Sequence, residues 1–124
     1  MQFLLMIYSN EREIRSLPEA QLGPMMSEYT AYTQSLKQSG NYLGGNRLEP
    51  VATARSVRVR EGKRLTTDGP FAETKEQLGG YYLVEARDVE EAMALAARIP
   101  GARYGTIEVR AISPNPAGDV QSRK

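Results

Sequence analysis

Gly80-Tyr81-Tyr82-Leu83-Val84-Glu85-Ala86-Arg87-Asp88-Val89-Glu90-Glu91-Ala92-Met93-Ala94-Leu95-Ala96-Ala97-Arg98-Ile99-Pro100-Gly101 decides the fold class, because the apolar period changes within it from two to the helical spacing. Over 80–86, Tyr82, Val84 and Ala86 face one way and Tyr81, Leu83 and Glu85 the other, which predicts a strand. Asp88 then opens a helix as a capping-box variant, its carboxylate placed to accept from the Glu91 amide. The expected buried stripe is Val89, Ala92, Met93, Ala96 and Ile99, and Pro100-Gly101 ends the helix. Residues 104–112 alternate again, with Ile107, Val109 and Ala111 inward against Thr106, Glu108 and Arg110.

Working outward, the N-terminal half repeats this strand-helix-strand plan. Phe3-Leu4-Leu5-Met6-Ile7-Tyr8 is apolar at both parities, so a strand there has both faces covered. A helix is expected from Pro24, at a first helical position, to Ser39-Gly40, with Met25, Tyr29, Tyr32 and Leu36 on one face and Gly40 as C-cap. Residues 42–48 read as a short strand weakened or bulged by Gly44 and Gly45 and ending before Pro50. Between the halves, Val57 and Val59 alternate with Ser56, Arg58 and Arg60. Glu61-Gly62 is a two-residue turn, and Lys63-Arg64-Leu65-Thr66-Thr67 returns as the second strand of a hairpin.

The resulting order is β, α, β, hairpin, β, α, β: an α+β, ferredoxin-like antiparallel sheet with two helices on one face. The second face carries Tyr81, Leu83, Glu85, Thr106, Glu108 and Arg110, too apolar for a solvated surface and too charged for a monomer's core. The expected resolution is a homodimer whose sheets pack face to face around a pocket. One domain over 1–112 and a flexible tail over 113–124, rich in Pro, Gly and polar residues, complete the organisation.

Composition bounds the chemistry. The 124 residues are 40% apolar and 25% charged, an ordinary balance for a soluble domain. With no Cys, His or Trp, thiolate and imidazole catalysis and Cys/His metal centres are excluded, leaving carboxylate, Tyr, Lys, Arg, Ser and Thr chemistry. Sixteen basic against fifteen acidic residues give a net charge of +1, unlike a dedicated nucleic-acid binder. Residues 3–8 are too short for a signal h-region, and nothing approaches the ~18 apolar residues of a membrane span. A cytoplasmic protein with no cofactor is expected, and no spaced acidic ligands suggest a Mg or Ca loop.

Residues 68–85, Asp68-Gly69-Pro70-Phe71-Ala72-Glu73-Thr74-Lys75-Glu76-Gln77-Leu78-Gly79-Gly80-Tyr81-Tyr82-Leu83-Val84-Glu85, closely resemble the DGPF proteins, a branch of the YCII-related family. Leu4 to Tyr8, Leu43-Gly44-Gly45 and Thr106 to Arg110 extend the resemblance over about residues 2–112. It implies a ferredoxin-like subunit forming a dimeric α/β barrel. It supplies no reaction: the His/Asp pair of some YCII-related relatives has no counterpart in a chain without His. Proximity of DGPF genes to alternative sigma factors implies a regulatory protein partner.

Asp68 is the candidate catalytic carboxylate, at a strand end beside a Gly-Pro turn; it equally serves as the hydrogen-bonding scaffold of that turn. Phe71 is expected to anchor the turn on the core. Tyr81, Glu85 and Arg110 are candidate ligand-binding residues, the charged pair reading equally as part of an ion-pair network with Glu108. Arg55, Arg58, Arg60, Lys63 and Arg64 crowd the hairpin, suiting either an anionic ligand or a charge-protected edge. Gly80 to Val84 is similar to an RNA-recognition strand but lacks its basic residue before the glycine and its small residue after Tyr81, so no nucleic acid is expected. Two functions stay open: a carboxylate-based enzyme acting on a small polar or anionic molecule between the sheets, or a non-catalytic binding or regulatory dimer.

Overall fold

The computed structural model of the chain describes residues 1–114. The tail expected over 113–124 therefore lies, from 115 onward, outside the described residues.

Strand β1 (Gln2–Ser9) is followed by a short helix α1 (Glu11–Arg15), a long helix α2 (Glu19–Ser39) and strand β2 (Tyr42–Arg47). A hairpin of β3 (Arg55–Arg60) and β4 (Lys63–Asp68) precedes β5 (Gln77–Glu85), α3 (Val89–Ala97) and β6 (Thr106–Ala111). Four strands form one antiparallel sheet in the order β2-β5-β1-β6, and β3-β4 stand apart as a two-stranded sheet. The α+β class with an antiparallel sheet is as expected. The four-stranded sheet is open, with β2 and β6 as its edges, and within one chain it does not close into a barrel.

Parity sets the core. Phe3 and Leu5 of β1 and Tyr82 and Val84 of β5 point toward the helices, where Tyr32 and Leu36 of α2 and Ala92, Leu95 and Ala96 of α3 pack on them. Leu5 and Val84 are fully buried, each contributing about 1.5–3 kcal/mol of transfer free energy. Tyr82 meets Tyr32 edge-on at 5.2 Å between ring centroids, and its hydroxyl pairs with Thr33 at 2.7 Å.

Several local expectations are corrected. Helix α2 starts five residues before Pro24: Pro18 is its extended N-cap residue, and Pro24 lies inside the helix. The preceding Gly23 has no Cβ to clash with the Pro24 ring, which lowers the cost of that placement. The short helix α1, not expected from the sequence, follows β1 and is capped by Asn10, which accepts from the Glu13 amide at 3.0 Å. Helix α3 ends at Ala97, so its buried set is Ala92, Leu95 and Ala96, with Ile99 buried just past its end, while Val89 and Met93 are half exposed. Apolar residues cover so much of this helix's circumference that periodicity alone does not fix its phase. Ala111 ends the sheet exposed, and Phe71 is 78% exposed rather than seated on the core.

The hairpin forms as expected. Glu61 and Gly62 both have positive φ, 52° and 76°, the conformation a two-residue turn needs to match strand twist. All residues from Val57 to Asp68 are exposed. Its base is fastened by the Gly69 amide donating to the Ala54 carbonyl at 2.6 Å and the Ser56 hydroxyl to the Gly69 carbonyl at 3.0 Å. The Glu11 carboxylate accepts from the Val51 amide at 2.9 Å, tying the approach to the hairpin to α1.

Candidate functional site

The sheet face opposite the helices is built by the other parity of the same strands. Leu4, Met6 and Tyr8 of β1 and Tyr81 and Leu83 of β5 are partly buried there, with no helix over them among the described residues. The register arranges two rows across the sheet. One runs Asn46, Tyr81, Met6, Glu108, the other Gly44, Leu83, Leu4, Arg110. The centre is apolar, and the polar groups stand at the edge strands.

Those polar groups are oriented. The Asn46 amide donates to the Tyr81 hydroxyl at 2.9 Å, leaving the phenol proton available to another acceptor. Arg110 donates through Nη2 to Glu108 at 3.0 Å, with its side chain 71% exposed and further donors free of this bond. Glu85 lies at the end of β5 opposite Gln2, ion-paired with the Met1 amino group, while its carbonyl accepts from the Asn41 side chain at 2.7 Å. Tyr81, Glu85 and Arg110 thus share one face, as expected.

Asp68 is elsewhere. It ends β4 on the separate hairpin, 89% exposed, with the Arg55 guanidinium 3.2 Å from its carboxylate. One chain does not bring it together with the other three on the four-stranded sheet. Gly69, before Pro70, has φ +90°, a conformation that favours glycine.

A concavity of ≈ 290 Å³ lies on the helix side between α2 and the turn after α3, lined by Glu28, Tyr32, Ser35, Arg98 and Arg103 among others. The sequence reading missed it, since nothing local in the chain signals that residues 28–35 and 98–103 meet. Arg103 holds Glu28 through two hydrogen bonds of 2.6 and 3.2 Å, which lowers the Glu28 pKa. Arg98 lies over the Tyr32 ring and donates to Ser35 at 2.9 Å. The Tyr32 hydroxyl donates to the Leu95 carbonyl at 2.6 Å, and burial raises its pKa. Tyr29 and Tyr82 are likewise raised by burial. These groups tie helix to helix and helix to sheet, a structural role.

A model of the YCII-related domain matches residues 1–115. The chain belongs to the YCII-related family. This family member is 29% identical over 124 residues to an uncharacterized protein of Rhizobium meliloti (strain 1021), across 98% of this chain and 100% of that one. Among solved structures it is similar to 5-chloro-2-hydroxyhydroquinone dehydrochlorinase (TftG) from Burkholderia phenoliruptrix AC1100, in complex with 2,5-dihydroxybenzoquinone. The TM-score is 0.53 at 14% identity over 91% of this chain and 94% of that one, a likeness of fold. Among the described residues of this YCII-related protein, no helix is long and apolar enough to cross a membrane.

Proposed function

We propose that this YCII-related protein works as a homodimer, in which two ferredoxin-like units pack their uncovered sheet faces together as a dimeric α/β barrel and enclose a pocket for a small polar or anionic molecule. The observation that carries this reading is the apolar centre of Leu4, Met6, Tyr81 and Leu83, bordered by oriented polar groups and covered by no helix or strand among the described residues. A contiguous apolar face with a polar rim is the mark of an interaction or ligand site rather than a solvated surface.

In that pocket the Tyr81 phenol donates to the ligand while the Asn46 amide holds its oxygen. Arg110 supplies positive charge for an anionic group, and Glu85 flanks the same face. Asp68 is the carboxylate for proton transfer. The dehydrochlorinase of similar fold acts, by its name, on a hydroxylated ring, which supports a small-molecule substrate of that size and polarity.

Sedimentation at micromolar concentration, paired with a thermal-shift screen of small organic anions and hydroxylated aromatics, tests this. A dimer stabilised by one such compound, with the shift lost in Tyr81→Phe or Arg110→Ala, is expected. A folded single subunit overturns it. The exposure of Asp68 and its ion pair with Arg55 favour a second reading, a non-catalytic binding or regulatory dimer with a protein partner such as a sigma factor. Asp68→Asn tests the first: turnover of the stabilising compound is lost if Asp68 moves a proton, whereas a parent protein that binds the compound without converting it supports the second.

A further inference from the structure

The hairpin is the least explained part of the molecule. Strands β3 and β4 pair in full register over six residue pairs, yet among the described residues they join no other strand. An isolated two-stranded ribbon is marginal in water and gains stability by packing on something. Its apolar residues Val57, Val59 and Leu65 are 61, 62 and 50% exposed. Register puts Val57 and Val59 on one hairpin face together with Asp68, and Leu65 on the other beside Arg58.

We infer that this hairpin is an arm that lies, Val57–Val59 face down, across the uncovered sheet face of a second copy of this chain. The inference rests on the dimer reading above and deepens it, since the pocket is then incomplete without a residue from the partner. Charge identifies the occupant. Residues 55–68 carry five basic against two acidic side chains, net +3, whereas the remaining described residues, 1–54 and 69–114, carry nine basic against twelve acidic, net −3. The arm is thus complementary to the body of an identical molecule, an attraction between exposed charges that added salt weakens.

Length agrees. Six residues extend roughly 20 Å at about 3.4 Å each, and four strands at about 4.8 Å spacing make a sheet of similar width. The fastened base, with Gly69 bonded to Ala54 and Ser56 to Gly69, sets the ribbon as a projecting element. An arm so placed sets Asp68 at the rim of the partner's Tyr81–Arg110 pocket, an arrangement one chain does not achieve.

Because the chain has no cysteine, Val59→Cys carries a unique benzophenone-maleimide photocrosslinker, and Leu65→Cys carries the same probe on the opposite face. Light and nitrogen-15 copies of each are mixed, allowed to exchange subunits, irradiated with and without a polythymidine strand, and mapped by mass spectrometry beside sedimentation of the parent. Expected are a dimer and light-to-heavy crosslinks from position 59, but not 65, into residues 1–9 or 77–85. A dimer whose position-59 crosslinks stay within one chain, reach the helices, or form only to the polynucleotide overturns the arm and spares the dimer. So does a dimer crosslinked from 65 and not from 59. A single subunit in sedimentation overturns both. The dimer dissociation constant is expected to rise about tenfold or more between roughly 0.05 and 1 M salt; an unchanged constant overturns the charge argument for the arm.

Discussion

Leu4 and Leu83 stand directly opposite each other on neighbouring antiparallel strands, with Arg110 beyond Leu4 and Gly44 beyond Leu83, on the face that the helices leave open. If this row is the centre of the subunit interface, Leu83→Lys places an ammonium where a second sheet must close, with the Arg110 guanidinium on the same row. Burying an unpaired charge costs several kcal/mol, so the dimer dissociation constant should rise by about 100-fold or more. Sedimentation equilibrium reads this directly. The far-ultraviolet spectrum should stay that of the parent, because Leu83 is not part of the helix-side core.

Helix α3 depends on its cap. Asp88 accepts from the Glu91 amide at 2.9 Å, and the Glu91 carboxylate accepts in return from the Arg87 amide at 2.7 Å. Asp88→Ala removes the first of these and should cost about 1 kcal/mol in urea unfolding, with the denaturant slope unchanged. The charge on Asp88 also favours the helix N-terminus, so Asp88→Asn should lose less than Asp88→Ala.

The capping pair and the strand parity of 80–86 were legible because they are local. Side-chain alternation separates Tyr82 and Val84 from Tyr81 and Leu83 without knowledge of the rest of the chain, and β1, apolar at both parities, buries Phe3 and Leu5 under the helices while Leu4 and Met6 stand on the open face. The phase of α3 and the start of α2 were not legible, since several apolar phases of α3 fit equally and Pro24 reads as a start even though Pro18 supplies it. The separation of Asp68 from Tyr81 and Arg110 was hidden for another reason. The alternation of Val57 and Val59 is the same whether a strand is covered by its own chain or another, and where the hairpin points depends on the connections flanking it, which carry no period.

Gly105 precedes β6 where the backbone of β1 passes closest. A Cβ there would sit 2.0 Å from the Tyr8 carbonyl oxygen and 3.0 Å from the Ser9 Cα, both main-chain atoms with no side-chain freedom to yield. Relief requires moving Thr106 from its ladder partner Tyr8, at the entry to the β1–β6 pairing. Gly105→Ala should therefore destabilise by about 2–4 kcal/mol, in the range of severe overpacking, while Gly44→Ala, whose Cβ meets nothing within 4 Å, should be nearly neutral. Thermal unfolding of the two variants side by side distinguishes steric conflict from a general intolerance of glycine replacement.

Tyr32 carries the last prediction, the response to alkali. Burial of the side chain disfavours the phenolate and raises its pKa above the ordinary 10.0, and the hydroxyl donates to the Leu95 carbonyl in the protonated form. A group whose folded pKa is raised contributes stability that is complete below the unfolded value and is lost as pH rises beyond it. Stability should therefore be level on this account below pH ~9 and fall steadily above pH ~10, with Tyr29 and Tyr82 adding to the slope because burial raises them too. In Tyr32→Phe the hydrogen bond is lost at every pH, costing about 1 kcal/mol near neutrality, but the phenylalanine cannot ionise. The variant's stability curve should thus start lower and fall less steeply, converging on the parent in strong alkali. Urea unfolding at several pH values checks the crossing, and parallel curves would show that another group carries the alkaline transition.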